Sequence, residues 1–267
     1  MAIIEVEHLS KHFRILNRHP GLRGAVRDLF SNDYQIVRAV DDISLAIEPG
    51  EIMGYIGPNG AGKSTTIKMM TGVLKPTEGT LLVNGKTPFK HRQENAQHIG
   101  VIFGQRTQLW WDLPVIESFR ILKQIYRVDD VTYQYNLNLF NDLVNLEALY
   151  AKPVRMLSLG QRTLCDIAAA FLHRPRIVFL DEPTIGLDVS IKSKIRALIR
   201  ELNESFNTTI VLTTHDISDI EALCRRVVII DKGKIIFDDA IEKTGGMNVS
   251  AGLISAPSNF NRATGIR

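Results

Sequence analysis

Eight consecutive residues, Gly57-Pro-Asn-Gly-Ala-Gly-Lys-Ser64, fit the spacing GxxxxGK[ST] at every fixed position. A loop of this kind turns backbone N–H groups onto phosphate oxygens, and the helix behind it aims its positive end at the same charge. Gly57, Pro58, Asn59, Gly60, Ala61 and Gly62 would form the cradle, with Thr65 continuing it into the helix. Lys63 would reach the β- and γ-phosphates, and Ser64 would bind Mg²⁺. A second segment, Ile177-Val-Phe-Leu-Asp181-Glu182, is an apolar run ending in two carboxylates. A buried strand with acids at its C-terminal tip delivers them to the ligand edge of a parallel sheet. Asp181 would hold Mg²⁺ through water, and Glu182 would polarise an attacking water as general base. These two elements alone fit many nucleotide enzymes.

The elements that must position them are legible as patterns. Ile3 to Val6 and Ile43 to Ile47 alternate apolar and polar residues, a strand signal. Residues 50–57 read as a strand entering the glycine-rich loop, and a helix is predicted from Lys63 to about Thr71. Residues 78–86 read as a short hairpin and Ile99–Phe103 as a strand. From Leu109 to about 165 the pattern is helical, with a start at Pro114. Strands follow at Ile177–Leu180, Ile210–Thr213 and Val227–Ile230. Strands alternating with helical stretches predict an α/β fold around a mainly parallel, covered sheet.

Two segments stand apart. Residues 14–38 carry five arginines and two aspartates, an excess equal to the net charge of +3 on the whole chain. Within this basic insert Leu22, Val26, Leu29 and Phe30 fall at helical spacing, with Arg23 and Arg27 turned away. It reads either as a solvated surface helix or as a contact with lipid headgroups or a membrane subunit. After Thr244 there is no carboxylate and the composition turns to Gly, Ser, Asn and Ala. The tail, residues 241–267, is therefore predicted to be disordered.

Composition excludes whole classes. With 267 residues, 45% hydrophobic and 23% charged, the chain is neither disordered, coiled coil nor collagen-like. A charge of +3 is too small to indicate nucleic acid. Two cysteines, Cys165 and Cys224, make no disulfide framework and no zinc cluster, and read as buried thiols. The longest apolar run, Ile167–Leu172, falls far short of the roughly 20 residues that span a bilayer. The N-terminus carries acids where a signal peptide places basic residues. The expected location is the cytosol, with any membrane part supplied by a partner.

Leu157-Ser-Leu-Gly-Gln161, 20 residues before Asp181, narrows the choice. It resembles the LSGGQ signature of ATP-binding cassette (ABC) ATPases. Gln105 stands at the family's Q-loop position, Ile185-Gly-Leu-Asp188 at the D-loop and His215, in Thr213-Thr-His-Asp216, at the switch. The resemblance covers roughly residues 1–240. It is strongest to ATPase subunits of ABC-2-type, export-like transporters, through Phe103-Gly-Gln-Arg-Thr-Gln-Leu-Trp-Trp-Asp-Leu-Pro-Val115, the Leu-Ser-Leu-Gly-Gln-Arg signature and Asp181-Glu-Pro-Thr-Ile-Gly-Leu-Asp188. Leu159 departs from the signature by replacing its first glycine. The tail departs too, since such subunits usually continue with more ordered sequence.

What the resemblance implies is a phosphate-loop (RecA-like) core with an N-terminal antiparallel β subdomain and a helical subdomain, about residues 109–165, inserted ahead of the catalytic strand. The implied cofactors are ATP and Mg²⁺, with Gln105 joining Ser64 and Asp181 at the metal. Two copies would bind head to tail, each ATP lying between one copy's phosphate loop and the other's Ser158, Gly160, Gln161 and Asp188. Separate ABC-2-type membrane permease subunits would be the partners, with the chain peripheral on the cytoplasmic face. His215 is either a core histidine or the γ-phosphate sensor, and Gln105 either a solvated strand end or a hinge. Phe13, in Ser10-Lys-His-Phe13, is expected to stack on adenine, with Tyr34 its competitor. Trp110 and Trp111 are core residues by default, or the lining of the groove that receives a membrane subunit. The alternative function is a soluble cassette protein acting on ribosomes or DNA. A single phosphate loop, and only 95 residues from Lys63 to Ser158 without sustained heptads, weigh against it.

Overall fold

The computed structural model describes residues 1–16, 34–104 and 107–241. In chain order its first half contains β1 (Ile4–Leu16), β2 (Tyr34–Ile47), β3 (Ile52–Ile56), α1 (Lys63–Met70), β4 (Glu78–Val83), α2 (Arg92–His98) and β5 (Ile99–Phe103). Then come α3 (Val115–Ile125), α4 (Asp130–Val144), α5 (Glu147–Tyr150), a 3-10 turn (Val154–Met156) and α6 (Leu159–Phe171). The last third holds β6 (Ile177–Asp181), α7 (Val189–Phe206), β7 (Thr209–Thr213), α8 (Ile217–Leu223), β8 (Arg226–Asp231) and β9 (Lys234–Ala240).

The large sheet has the order β5-β6-β7-β3-β8-β9, parallel throughout except for the antiparallel edge pair β8–β9. In its central strands, Ile177–Leu180 of β6 and Ile210–Leu212 of β7 are apolar and buried because both faces are covered. Val178, Leu180, Ile210 and Leu212 pack on one side with Ala168 of α6 and Ile195 and Leu198 of α7. Ile177, Phe179 and Val211 point the other way, into a second core with Met53, Tyr55 and Ile67. That second core is closed by the small antiparallel sheet β2-β1-β4, through Ile4, Val6, Ile43, Leu45 and Leu81. The tips of β5, β6 and β7 are in register, with Phe103 opposite Asp181 and Asp181 opposite Thr213. All three strands therefore end on one edge of the molecule, where the site lies.

Several expectations need correcting. The basic insert does not begin at 14 or end at 38. Residues 14–16 belong to β1 and 34–38 to β2, paired as an outward-running two-stranded arm. Residues 17–33, with Leu22, Arg23, Val26, Arg27, Leu29 and Phe30, lie outside the described residues, as does the tail beyond 241. Residues 78–86 form no hairpin. β4 pairs with β1, and only a single bridge, Val83 to Lys86, closes the turn. The helical insert has no break at 165, because α6 runs unbroken from the signature to Phe171, and Leu164 to Phe171 are all buried. That continuity makes α6 the rod joining insert to core.

Candidate functional site

The phosphate loop leaves β3 and enters α1 at a glycine whose backbone only glycine adopts readily. Gly62 caps α1 with φ 115°, and an added Cβ would stand 2.5 Å from the Ala39 carbonyl oxygen. An open cleft of about 240 Å³ lies over the loop, lined by Ala39, Asn59, Gly60, Gly62, Lys63, Ser64, Thr65, Asp181 and Glu182. The sequence separates the last two from the loop by more than a hundred positions, and the register of β6 brings them back.

Lys63 is buried, and its ammonium donates to the carbonyls of Gly57 (2.6 Å) and Pro58 (3.2 Å). Burial lowers its pKa, while the Glu182 and Asp181 carboxylates act in the opposite direction. Thr213 donates to Asp181 Oδ1 at 2.5 Å, and Ser64 donates to Asp181 Oδ2 at 3.4 Å. A hydroxyl and a carboxylate meeting at a phosphate loop are the hard oxygen donors that Mg²⁺ prefers when phosphates and water complete its shell. Gln105, the third expected metal ligand, lies outside the described residues.

Glu182 follows Asp181 in a left-handed conformation, φ 55°, its N–H donating to the carbonyl (3.0 Å) and hydroxyl (3.1 Å) oxygens of Thr213. This turn swings the side chain toward the end of β7. There His215 Nδ1 lies 2.6 Å from Glu182 Oε2. His215 is exposed and not a core histidine. The two residues read separately in the sequence are one pair.

Asp219, buried in α8, was missed by the sequence reading. Its carboxylate accepts hydrogen bonds from Thr184, from Thr214 (3.2 Å) and from Arg196 Nε (2.6 Å). Thr184 is two residues past Glu182, and Thr214 precedes His215. Asp219 thus fastens together the two segments that carry the Glu182–His215 pair. Its only sequence signal was an acid four residues after the histidine, which is invisible without the fold.

The signature residues have local duties. Ser158 and Gln161 form a capping box at the start of α6, Ser158 Oγ accepting from Gln161 N (3.2 Å) and Gln161 Oε1 from Ser158 N (3.1 Å). The S-x-x-Q spacing is the sequence form of that motif. Gly160 is needed for packing, since a Cβ there would lie 2.7 Å from Ile191 Cγ2. Asp188 caps α7 through Ile191 N (2.9 Å). None of Ser158, Gly160, Gln161 and Asp188 lines the phosphate cleft. Leu159 instead borders a narrow cavity with Arg162, Asp166, Glu182 and Pro183 of its own chain. Phe13 and Tyr34 are both exposed on the β1–β2 arm, Phe13 paired with Val37 two positions from Ala39. Trp110 (39% exposed) and Trp111 (49%) are not core residues, which corrects the default reading.

A glycine-rich loop, a buried lysine and a paired carboxylate–histidine on a parallel sheet define a phosphate-loop nucleotide hydrolase. Residues 40–185 match the family described as ABC transporter. The ABC transporter ATP-binding protein NatA of Bacillus subtilis (strain 168) is 33% identical over 222 residues, which cover 80% of this chain and 86% of that protein. The methionine import ATP-binding protein MetN of Protochlamydia amoebophila (strain UWE25) is 31% identical over 245 residues, 90% of this chain and 67% of that protein. The solved structure of CbiO1 from Clostridium perfringens, described as part of the ABC transporter complex CbiONQ, matches with a TM-score of 0.72. That match is 27% identical and covers 90% of this chain and 88% of the other. The chain belongs to the ABC transporter family, as an ATP-binding subunit whose reaction is the hydrolysis of ATP. Among the described residues no helix is long and apolar enough to cross a membrane.

Proposed function

We propose that this chain powers an ABC-2-type exporter, two copies acting on separate membrane permease subunits from the cytoplasmic face. The observation that carries the reading is the cleft itself, which joins Lys63, Ser64, Asp181 and Glu182 while the signature end of α6 stays outside it. A second copy facing the cleft head to tail would supply Ser158 and the free N–H groups at the start of α6 to the γ-phosphate. Phe13 would stack on adenine from the β1–β2 arm. Ser64 and Asp181, with Gln105, would hold Mg²⁺, which when bound neutralises charge on the phosphates. Lys63 would neutralise the β- and γ-phosphates from the opposite side. Glu182 would accept a proton as water attacks the γ-phosphorus and the bond to the bridging oxygen breaks, giving ADP and phosphate. His215, bonded to Glu182, would fix that carboxylate's orientation.

Export is the direction implied by the resemblance of residues 103–115, 157–162 and 181–188 to ABC-2-type, export-like ATPase subunits. The match covers 86% of NatA and 67% of MetN. Import is the second reading, supported by the match of MetN over 90% of this chain. Tagged chain purified from detergent-solubilised membranes should bring down a polytopic membrane protein, and ribosomes or DNA in its place would overturn the transporter reading. Reconstitution of that complex in vesicles with the ATPase outside decides direction. ATP-driven uptake into the lumen means export, and release from the lumen means import.

A further inference from the structure

The buried carboxylate of Asp166 lies on α6, two turns beyond Ser158, and has no part in the site described above. It is 6% exposed, and its Oδ1 accepts two hydrogen bonds from the linker that joins β5 to the helical insert. Thr107 Oγ1 donates at 2.8 Å and Gln108 N at 3.1 Å. Gln108 Nε2 returns to the Asp166 carbonyl at 3.0 Å, and Leu109 N donates to Thr107 Oγ1 at 3.1 Å. One turn nearer the signature, the Arg162 guanidinium lies 5.5 Å from the centre of the Trp111 ring. Residues 107–111, ending in the two exposed tryptophans, are therefore held to α6 at two points along its length. Asp166 and Arg162 also border the narrow cavity that Leu159 and Glu182 line.

We propose that Asp166 is a positioning residue that makes the Trp110–Trp111 segment and the signature end of α6 one mechanical unit. A force on the tryptophans then moves Ser158 and Gln161 directly, through a helix, without passing through the sheet. The bond rests on the acceptor oxygen and not on the charge. Burial pushes the Asp166 carboxyl up to about 6, with Arg162 opposing, so its ionised form is held mainly by the two linker donors. The functional half of this inference rests on the reading of two copies closing over ATP. The structural half does not.

The test uses the full-length chain and two measurements on each variant. Hydrogen exchange without nucleotide reads the linker. In Asp166→Ala the Gln108 amide should exchange about ten-fold faster or more, as expected for losing a hydrogen bond to a carboxylate. In Asp166→Asn, whose oxygen still accepts, the rate should stay within about three-fold of wild type. Self-association in MgATP, measured with Glu182→Gln in every chain, reads the signature. Asp166→Ala should weaken it by about ten-fold with ATP affinity unchanged, and Asp166→Asn should restore it. Thr107→Val removes one of the two linker donors, leaves α6 intact and should move both readouts in the same direction as Asp166→Ala by a smaller factor, which covers the case of an Asp166→Ala chain that does not fold. Wild-type exchange in Asp166→Ala overturns the fastening. Faster exchange with unchanged association overturns the coupling, and an Asp166→Asn chain as impaired as Asp166→Ala overturns the role of the acceptor. If Glu182→Gln alone fails to bind ATP or to associate, the two-copy reading has failed, and the exchange data still decide the fastening.

Discussion

Replacing Asp219 with alanine should both destabilise the chain and slow it. The carboxylate is fully buried and receives Thr184, Thr214 and the Arg196 guanidinium. Truncation leaves a mostly buried guanidinium and two buried hydroxyls without their acceptor, a loss of about 3–5 kcal/mol for a buried ion pair broken on one side. Arg196 keeps Ser218 Oγ at 2.7 Å and Asp216 at 3.9 Å, which places the expected loss near the lower end, about 3 kcal/mol. Asp219→Asn retains the shape and one acceptor, and should cost about 1–2 kcal/mol. The kinetic effect follows from geometry, since the same carboxylate spaces Glu182 from His215. Misplacement of such a pair by about 1 Å can cost about 10²-fold in rate. Urea unfolding curves with phosphate-release rates at saturating ATP, corrected for nucleotide-binding sites, measure both. A loss below about 1 kcal/mol with an unchanged rate would refute the view that Asp219 organises the pair.

Other expectations are equally concrete. Phe13→Ala should weaken ATP binding by about 1–3 kcal/mol through lost stacking and burial, and Tyr34→Ala should do little. Titration with a fluorescent ATP analogue checks both, and the reverse order assigns adenine to Tyr34. Folding raises the Asp166 pKa to about 6, so wild type is most stable when the group is protonated and loses that contribution as pH rises from about 4 through 6. Asp166→Asn lacks this loss and should gain on wild type by about 2 kcal/mol between pH 4.5 and 7.5. Parallel urea midpoints at the two pH values test the sign. Trp111→Ala should impair assembly with the membrane partner while leaving ATP affinity intact. Lost affinity with intact assembly would move Trp111 into the site.

The site's centre was legible because its chemistry is local. GxxxxGK[ST] fixes the loop, its glycines and the helix at Lys63 within eight residues. Asp181 and Glu182 announce themselves by ending an apolar strand. Asp166 and Asp219 were not legible, although each is one acid in a helix, because their partners lie up to 59 residues away and only packing selects them. The capping box of Ser158 and Gln161 was written in the sequence and hidden by a stronger reading of the same residues. The exposed tryptophans defeated a hydrophobicity argument because a residue's type does not say which surface it serves. The edge strand β9 alternates only weakly, since its Asp238 is held by Arg226 of β8 and not by a core.

The central claim is that ATP held by one copy's phosphate loop is closed over by another copy and cleaved with Glu182 as base. Glu182→Gln keeps the side chain's shape but not its proton affinity, a deficit of about 10²–10⁴-fold in hydrolysis. Lys63, Ser64 and Asp181 are untouched, so ATP binding survives and the closed pair persists. Size-exclusion chromatography of Glu182→Gln should therefore show a monomer without nucleotide and a dimer in MgATP, with Lys63→Ala monomeric in both. A Glu182→Gln chain that hydrolyses ATP at the wild-type rate, or binds MgATP and stays monomeric, would contradict the account.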